Sequence, residues 1–463
     1  MSEFNAQRLL DRLGAPHNVD VRGSVRSAVG LVLRAAVPDA SIGELCEVHS
    51  HGSSEALVAE VVGFRSTEAL LMPLGDLRGI GSNSLVRRLG RTLSVPAAGS
   101  LIGRVLDGLG RPADGRPLAD AGDRWPVHRA APNPLERQPV CEPFHTGVRA
   151  IDGLLTVGVG QRMGIFAGAG VGKSTLLGMI ARNAPSDVVV IGLVGERGRE
   201  VREFLESDLG EDARSRSVTI VATSDQPPIV RLKAAYVATS IAEQFRAQGL
   251  RVLFLLDSIT RFARALREVG LAAGEPPARA GYPPSVFAEL PRLLERTGND
   301  GCGAITAFYT VLVEGDDHGE PVADETRSIL DGHIVLSAER AARDVFPAID
   351  IGRSASRTMA RVVDDLHGDA ARAVRGLLAT YERERDLLIL GAYETGTDQR
   401  IDDAAAKIDR IEAFLQQRPN ECTSFAVTRE RLVELAMPDT LDDGEIDPLD
   451  DPFGTYDDDA EVG

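Results

Sequence analysis

The chain has 463 residues, of which 43% are hydrophobic and 26% are charged, a composition typical of globular proteins with room for about two to four domains. Its net charge of −18 is uneven, because eleven Asp or Glu and no Lys or Arg fall between residues 439 and 463, which leaves −7 for the rest. Residues 1–438, with this mildly negative net charge, lack the overall positive charge that is typical of nucleic-acid-binding proteins.

The first segment, residues 1–18, is predicted to hold a short amphipathic helix over Gln7–Leu13. Four apolar residues fall at helical spacing: Ala6, Leu9, Leu10 and Leu13. This helix either packs on the body or docks a partner, and the pattern leaves both open. The stretch MSEFNAQRLLDRLG lacks the basic-then-apolar layout of a signal peptide.

Residues 19–95 carry short β-rich runs such as GLVLRAAV, ALVAEVVGF and EALLMPL, separated by the turn formers PDAS and SHGSS. Close-spaced short strands of this kind predict a small barrel or sandwich. The Gly- and Pro-rich stretch from Gly108 to Pro143 predicts a connector, which we place at 96–145.

From about Thr146 to residue 365 the pattern is α/β. Apolar strands such as MGIFA, DVVVIGLVG and RVLFLLD alternate with helical stretches, which is typical of a largely parallel sheet covered on both faces. Residues 366–437 are predicted to form a helical domain. The acidic residues 438–463 cannot bury enough apolar surface to fold alone and are expected to be a disordered tail, although interleaved apolar residues allow it to bind a basic surface instead.

The strand MGIFA runs directly into a glycine-rich loop and then a helix. The loop is Gly168, Ala169, Gly170, Val171 and Gly172, followed by Lys173, Ser174 and Thr175. This is a Walker A arrangement with Ala167 where the strict pattern has Gly. Backbone N–H groups and the helix N-terminus favour phosphate, Lys173 supplies a cation, and the Ser174 hydroxyl suits Mg²⁺. The pattern predicts a site for ATP with Mg²⁺.

A second carboxylate for the metal is expected at Asp257, because the apolar strand RVLFLLD ends there. Glu196 follows another apolar strand and is therefore placed on the ligand side of the sheet. Its spacing alone leaves two roles open, positioning of the attacking water or a surface ion pair with Arg197 or Arg199.

Several longer stretches resemble the type III secretion export ATPases, relatives of the catalytic subunit of the rotary ATP synthase. They are GERGREV, LLDSITRFARALREVGLAAGEPPARAGYPPSVF, LPRLLERTG, ITAFYTVLVEGDD and DETRSILDGHIVLS. The resemblance spans about residues 20 to 435, and VPDASIGELC and LESDLGE favour the injectisome branch over the flagellar one. It implies a RecA-like P-loop core between an N-terminal β-barrel and a C-terminal helical domain.

The resemblance also implies roles for individual residues. Glu196 would be the catalytic carboxylate, with Lys173 and Arg197 beside the phosphates. Arg357 would be an arginine finger for the ATP of the neighbouring subunit, and Phe346 would stack on adenine where many relatives have Tyr.

The resemblance implies a homohexameric ring in the cytoplasm, peripheral to the inner-membrane secretion apparatus, and it also implies several partners. They are a central coiled-coil stalk, a stator or regulator at the N-terminus, chaperone–substrate complexes and the membrane-embedded export gate. The Gly- and Pro-rich stretch Gly270–Phe287 would line the ring centre and touch the stalk.

The four cysteines are scattered without a C-x-x-C pair, which fits a reducing compartment.

Two other functions share features with this sequence. A nucleic-acid motor of the termination-helicase type shares a stretch like DSITR, but such a motor needs aromatic stacking platforms, and residues 19–95 hold one aromatic, Phe64. A non-hydrolysing ring subunit would lack the carboxylate that Glu196 supplies. The sequence therefore favours an ATP-driven export motor.

Overall fold

The computed structural model describes residues 22–50, 55–118, 124–313 and 320–437. The helix predicted at Gln7–Leu13 and the acidic tail from 438 to 463 lie outside the described residues. Both expectations therefore remain predictions.

Six antiparallel strands close into a barrel near the N-terminus. They are β1 (Arg22–Val29), β2 (Val32–Ala36), β3 (Leu45–His49), β4 (Ala56–Arg65), β5 (Glu68–Pro73) and β6 (Leu85–Arg88). Their order round the barrel is β1-β2-β5-β4-β3-β6. Alternate residues point inward, and buried Leu33, Val48, Val61 and Leu71 fill the interior. Of the two all-β forms that the sequence allowed, the barrel is confirmed, and closure removes the exposed strand edges that a small sheet would have.

A nine-stranded sheet forms the core of the chain. Its strands are β8 (Arg104–Asp107), β12 (Arg162–Ala167), β13 (Val188–Glu196), β14 (Ser217–Thr223), β15 (Arg251–Asp257), β16 (Gly298–Asn299), β17 (Ala304–Leu312), β18 (Gly332–Leu336) and β19 (Ile349–Ser356). The order is β19-β18-β12-β17-β15-β13-β14-β8, with β16 beside β17. All pairs are parallel except β18 with β19 and β16 with β17, so the predicted largely parallel sheet is confirmed.

The stretch expected to be a connector contributes to this sheet. Its strand β8 pairs with β14 in parallel, and two further short pairs flank the sheet, β7 (Ser94–Pro96) with β9 (Arg124–Pro126) and β10 (Pro143–Phe144) with β11 (Val157–Gly158). A four-residue strand at a sheet edge has too short a pattern to stand out from the surrounding loops.

Helices cover both faces of the sheet. They are α1 (Arg149–Leu154), α2 (Lys173–Asn183), α3 (Gly198–Glu203), α4 (Gly210–Ser215), α5 (Pro228–Ala247), α6 (Ile259–Ala273), α7 (Pro284–Leu294), α8 (Pro321–Ile329), α9 (Ala338–Ala342) and α10 (Met359–Val362). A π-helical turn, Phe204–Asp208, joins α3 to α4, and short 3-10 turns lie at Ala98–Leu101, Pro134–Glu136 and Arg279–Gly281. Strand β13 is buried throughout, with Val190 and Ile191 facing opposite cores.

Three helices close the described chain, α11 (Asp365–Ile389), α12 (Gln399–Leu415) and α13 (Phe425–Ala436). They pack on the face of the sheet that carries α2, where Ile411 and Leu432 join the same hydrophobic cluster as Leu176. The helical C-terminal region is confirmed, and its last helix, α13, was not individually predicted. Within the described ranges, no helix has both the length and the apolar character needed to cross a bilayer.

The barrel and the core meet at a buried charged cluster. The Nζ atom of Lys233 on α5 lies 2.7 Å from Oε1 of Glu60 on β4 and 2.7 Å from Nε2 of His128. Lys233 is 2% exposed, so these contacts replace the water that its charge would otherwise require. Burial, with the charges of Lys233 and Arg296, lowers the pKa of His128 to about 3.

Candidate nucleotide-binding site

The glycine-rich loop, residues 168–172, joins the carboxyl end of β12 to the first residue of α2, Lys173. Gly170 and Gly172 have φ values of 76° and 86°, a left-handed conformation that glycine adopts without strain. A Cβ on Gly172 would also lie 3.3 Å from the Phe346 ring. Ser174 and Thr175 fall in the first turn of α2, where unpaired backbone N–H groups and the helix dipole favour an anion.

Lys173 links the loop to both candidate carboxylates. Its Nζ atom lies 2.6 Å from Oδ1 of Asp257 and 3.3 Å from Oε1 of Glu196. Although burial alone would favour loss of its proton, the charges of Asp257 and Glu196 raise the pKa of Lys173 above its usual value. The ammonium therefore stays charged between two carboxylates at the carboxyl ends of β13 and β15.

Glu196 is 6% exposed and is held from two sides. Besides Lys173, the Nη2 atom of Arg261 on α6 lies 2.9 Å from its Oε2, and the Nη1 group of Arg261 donates to the carbonyl of Gly195. Burial and the charge of Asp257 raise the pKa of Glu196 to about 7, against the opposing effect of Lys173 and Arg261. A carboxylate of this kind is suited to accept or direct a proton near neutral pH.

The ion pair of Glu196 with Arg197 or Arg199, which the sequence left open, is not formed. Arg197 begins the turn into α3, is largely exposed, and its Nη1 donates to Oε1 of Glu200 at 2.9 Å. Arg197 is therefore close to Glu196 in the chain but points to a different partner.

Asp257 receives a hydrogen bond from a neighbouring strand as well as the ion pair with Lys173. The hydroxyl of Thr310 on β17 donates to its Oδ1 at 2.6 Å, and Thr310 is fully buried. Ser174 and Asp257 together offer one hydroxyl and one carboxylate, which are oxygen donors that suit Mg²⁺. No group of three or more Asp, Glu, His or Cys that could hold a metal occurs among the described residues, and Mg²⁺ on a nucleotide typically takes its remaining ligands from phosphate and water.

A cavity of about 310 Å³ lies beside the first turn of α2. Phe346, which is 37% exposed, forms one wall with Gly172 and Thr175. The opposite wall comes from the C-terminal helical region, through Gln417 and Pro419. The backbone N–H of Gln417 donates to the carbonyl of Phe346 at 2.9 Å, so the two walls are tied together. The size and the aromatic wall suit a purine ring.

Arg357 lies far from this loop. It follows β19, whose end at Ser356 pairs with Gly332 at the start of β18, whereas the glycine-rich loop follows the other end of the adjacent parallel strand β12. A six-residue strand is about 20 Å long, and Arg357 is exposed. The structure thus separates Arg357 from Lys173, Glu196 and Asp257, which it brings together.

Sequence reasoning did not find Arg261, Thr310 or Gln417. Arg261 lies four residues after Asp257 on α6, so a search for cations one helical turn beyond the strand end could have identified it. Thr310 and Gln417 carry no local signal, because their roles depend on which strand and which helical segment lie next to the site.

Comparison with known proteins gives three family matches along the chain. Residues 25–90 match the "ATP synthase alpha/beta family, beta-barrel domain", residues 147–356 match the "ATP synthase alpha/beta family, nucleotide-binding domain", and residues 363–434 match the "T3SS EscN ATPase C-terminal domain". The three matches follow the barrel, the sheet and the C-terminal helices in order.

Similar proteins extend over most of the chain. The type 3 secretion system ATPase of Xanthomonas euvesicatoria is 53% identical over 414 residues, 89% of this chain and 93% of that protein. The flagellum-specific ATP synthase of Bacillus subtilis (strain 168) is 50% identical over 419 residues, 90% and 96% of the two chains. The solved structure of the assembled ATPase EscN with its central stalk EscO, from the enteropathogenic E. coli type III secretion system, has a TM-score of 0.83 at 45% identity, and covers 90% of this chain and all of that one.

Proposed function

The chain belongs to the type III secretion ATPases of the ATP synthase alpha/beta family, and from this premise we propose that it hydrolyses ATP at the site around Lys173 to drive protein export. The observation that carries the proposal is that the carboxylates of Glu196 and Asp257 both lie within hydrogen-bonding distance of the Lys173 ammonium group. The three residues come from separate parts of the chain, and none of their side chains is more than 12% exposed.

Nucleotide binding is assigned to the glycine-rich loop, the start of α2 and the cavity beside Phe346. The loop and the helix N-terminus would hold the phosphates, with Ser174 and Thr175 in the first turn. Adenine would lie against Phe346 in the cavity. Ser174 and Asp257 would hold Mg²⁺, which supplies positive charge at the phosphates when it is bound with ATP.

Glu196 would orient the attacking water and take up its proton. Its two cationic neighbours fix the carboxylate in place, and burial at the strand end keeps the surrounding dielectric low. Lys173 would leave its carboxylate partners for the phosphates when ATP binds. Arg197, which lies at the exposed edge of the same strand end, would reach the phosphates only with a change of side-chain conformation.

Arg357 would act on the ATP of a neighbouring subunit. The position of Arg357 at the opposite end of the sheet from its own loop supports a role in trans, and a head-to-tail contact that closes generates a ring. We infer a homohexamer with one ATP at each subunit boundary. The assembled form of EscN, 45% identical to this chain, supports the inference.

The remaining partners are inferred from the family. A coiled-coil stalk would occupy the ring centre, as EscO is the central stalk of EscN, and the segment around Arg279 would face it. Chaperone–substrate complexes, a stator at the N-terminus and the membrane-embedded export gate would complete the apparatus, with the ring on the cytoplasmic side. The identities of 53% and 50% to a secretion and a flagellar ATPase support both branches almost equally.

Measurement of ATP binding and phosphate release on purified protein tests the site. Lys173→Ala should lose ATP binding, whereas Glu196→Gln should bind ATP with near-normal affinity and turn over slowly. Glu206→Gln serves as the matched control, because Glu206 is an exposed carboxylate whose partner is Arg202. Near-normal turnover by Glu196→Gln would remove Glu196 from the mechanism.

The trans role of Arg357 is tested by mixing two inactive chains. Arg357→Ala chains keep an intact site, and Glu196→Gln chains keep an intact finger. In co-assembled rings, a boundary with the site of the first chain and the finger of the second has both groups. Hydrolysis by the mixture above that of either pure variant is expected, and its absence in rings shown by native mass spectrometry to contain both chains would reject the trans finger.

A further inference from the structure

The side chain of Gln161, the residue that immediately precedes strand β12, bonds to the segment that carries Arg357 as well as to the N–H of Gly158 at 2.8 Å and to Sδ of Met163 at 3.1 Å. Gln161 is fully buried. Its Nε2 group donates to Oγ of Ser356 at 3.1 Å and to the carbonyl of Asp331 at 3.2 Å. Its Oε1 atom accepts the hydroxyl of Thr358. Both residues that flank Arg357 therefore bond to one amide.

The backbone of Arg357 is part of the same arrangement. Its N–H donates to the carbonyl of Asp331 at 3.0 Å, which is the carbonyl that Gln161 also contacts. Ser356 is held in addition through its hydroxyl, which donates to the carbonyl of Thr156 at 2.8 Å. Residues 356–358 are thus held from both sides, while the Arg357 side chain itself is exposed.

Arg162, the next residue, fixes the other side of Asp331. Its Nε and Nη2 atoms lie 3.0 Å from Oδ2 and Oδ1 of Asp331, and its Nη1 lies 2.6 Å from Oε1 of Glu295 at the end of α7. This bidentate pair holds a carboxylate in a defined orientation. Gln161 and Arg162 together anchor the turn on which Arg357 stands.

The anchor and the glycine-rich loop occupy the two ends of one strand. Strand β12 begins at Arg162 and ends at Ala167, directly before Gly168. The strand lies inside the sheet, where it pairs with β17 on one side and β18 on the other. In each subunit, the loop at one end of β12 would then bind the subunit's own ATP. The anchor at the other end would support Arg357, which acts on the ATP of the neighbouring subunit.

We propose that Gln161 is a positioning residue for Arg357. It holds residues 356–358 in the conformation that presents the Arg357 guanidinium to the adjacent subunit. The inference rests on the proposed trans role of Arg357. An arginine finger stabilises charge that develops on the phosphates, so its contribution depends on placement, and a displacement of about 1 Å can cost about a hundredfold in rate. Gln161 itself is fully buried, at the end of β12 opposite the glycine-rich loop.

Two kinds of variant separate positioning from folding. Gln161→Leu keeps the approximate size of the side chain and removes its donor and acceptor groups. Thr358→Val keeps the shape of Thr358 and removes only the hydroxyl that bonds to Gln161, while Thr358→Ser keeps that hydroxyl and is the matched control. If Gln161→Leu fails to assemble, Thr358→Val still carries the test.

Steady-state kinetics on assembled rings give the first readout. We expect kcat to fall by about tenfold to a hundredfold in Gln161→Leu and Thr358→Val, with the dissociation constant for ATP unchanged within about twofold, because the glycine-rich loop is intact. Thr358→Ser should retain the wild-type kcat. Wild-type kcat in both Gln161→Leu and Thr358→Val would overturn the proposal.

Mixed rings give the second readout, in which Gln161→Leu chains are combined with Glu196→Gln chains. The Gln161→Leu chain keeps its own site and receives a well-placed finger from Glu196→Gln at about a quarter of the boundaries if pairing is random. Turnover should therefore rise above that of either pure variant, as for the Arg357→Ala mixture.

The two mixtures distinguish the possible failures. Rescue of Arg357→Ala without rescue of Gln161→Leu would show that Gln161 acts on the site of its own subunit, which overturns the positioning role and leaves the finger intact. Failure of the Arg357→Ala mixture would reject the trans finger itself, and the positioning role would fall with it.

Discussion

The ammonium of Lys173 lies 2.6 Å from Oδ1 of Asp257, and the hydroxyl of Thr310 lies 2.6 Å from the same oxygen. One carboxylate oxygen thus joins helix α2, strand β15 and strand β17. Because Thr310 is on β17, the strand between β12 and β15, the orientation of Asp257 is set by a residue that belongs neither to the glycine-rich loop nor to β15.

Loss of the Thr310 hydroxyl should weaken the use of Mg²⁺. In Thr310→Val the carboxylate of Asp257 keeps Lys173 but loses its second restraint, and removal of such outer partners typically costs about 10- to 100-fold in metal affinity. We expect the Mg²⁺ concentration at half-maximal ATPase activity to rise by about tenfold or more. Thr310→Ser retains the hydroxyl and should behave as wild type. An unchanged Mg²⁺ titration in Thr310→Val would contradict the assigned role of Asp257.

Replacement of Arg261 by Lys should lower kcat with little effect on ATP binding. Lysine keeps the charge but cannot contact both Glu196 and the carbonyl of Gly195 in the way that the guanidinium does. A loosely held carboxylate orients water poorly, so we expect a fall in kcat of about tenfold. Arg202→Lys, an exposed pair with Glu206, is the control and should leave kcat unchanged. Equal rates for the two variants would count against the restraint by Arg261.

Phe346 variants should separate nucleotide affinity from turnover. Phe346→Ala removes the aromatic wall of the cavity, and stacking of a base on an aromatic ring is worth about 1–3 kcal/mol. The dissociation constant for ATP, measured by fluorescence of a labelled nucleotide in competition, should therefore rise by about fivefold to more than a hundredfold. Phe346→Tyr keeps the ring and should bind ATP as wild type does. If Phe346→Ala binds normally, adenine lies elsewhere.

The stability of the barrel–core junction should depend on pH through His128. Burial first, then Lys233 and Arg296, lowers its pKa from 6.5 to about 3. Between those values the unfolded chain binds a proton that the folded chain does not, so stability is lost as pH falls below about 6.5 and is fully present above it. His128→Gln places an amide near Nε2 and does not titrate.

The thermal unfolding temperatures of wild type and His128→Gln should therefore be compared from pH 7.5 to pH 5. The wild type should lose stability more steeply over the acidic part of this range, while the offset between the two proteins should stay constant above about pH 7. Parallel curves over the whole range would show that His128 is not held neutral. Glu60 and Tyr236, which also face this cluster, are unchanged in the comparison.

A photo-crosslinker at position 279 should label the stalk in the assembled complex. Arg279 is exposed at a 3-10 turn between α6 and α7, where its Nη2 lies 3.2 Å from Oδ2 of Asp324. If this segment lines the ring centre, adducts to the coiled-coil partner should dominate. The same photo-crosslinker placed at Val29, which lies in the barrel and is 74% exposed, serves as the comparison. Adducts from position 279 only to the outer envelope of the apparatus would place the segment away from the centre.

Much of the site could be predicted because its parts are continuous in sequence. The strand, the glycine-rich loop and the first turn of α2 occupy residues 162–175, so their geometry follows from local backbone preferences. Glu196 and Asp257 could be placed at the ligand edge because each ends an apolar strand, and the carboxyl ends of parallel strands lie at one edge. The α/β core and the helical C-terminal region could likewise be predicted from strand and helix periodicity, whereas for residues 19–95 periodicity left barrel and sandwich open and the family resemblance implied the barrel.

The contacts that orient those residues were decided only by the tertiary structure. Thr310 meets Asp257, and Gln161 meets Ser356 and Thr358, because the strand order β19-β18-β12-β17-β15-β13 differs from the chain order. A single sequence records the order of strands along the chain but not which of them become neighbours, since that choice depends on how the helices cover both faces of the sheet. The residue types at the site were thus determined by local sequence. The orientation of their side chains and of the Arg357 segment was determined by tertiary packing, which brings together residues as far apart as 161 and 358.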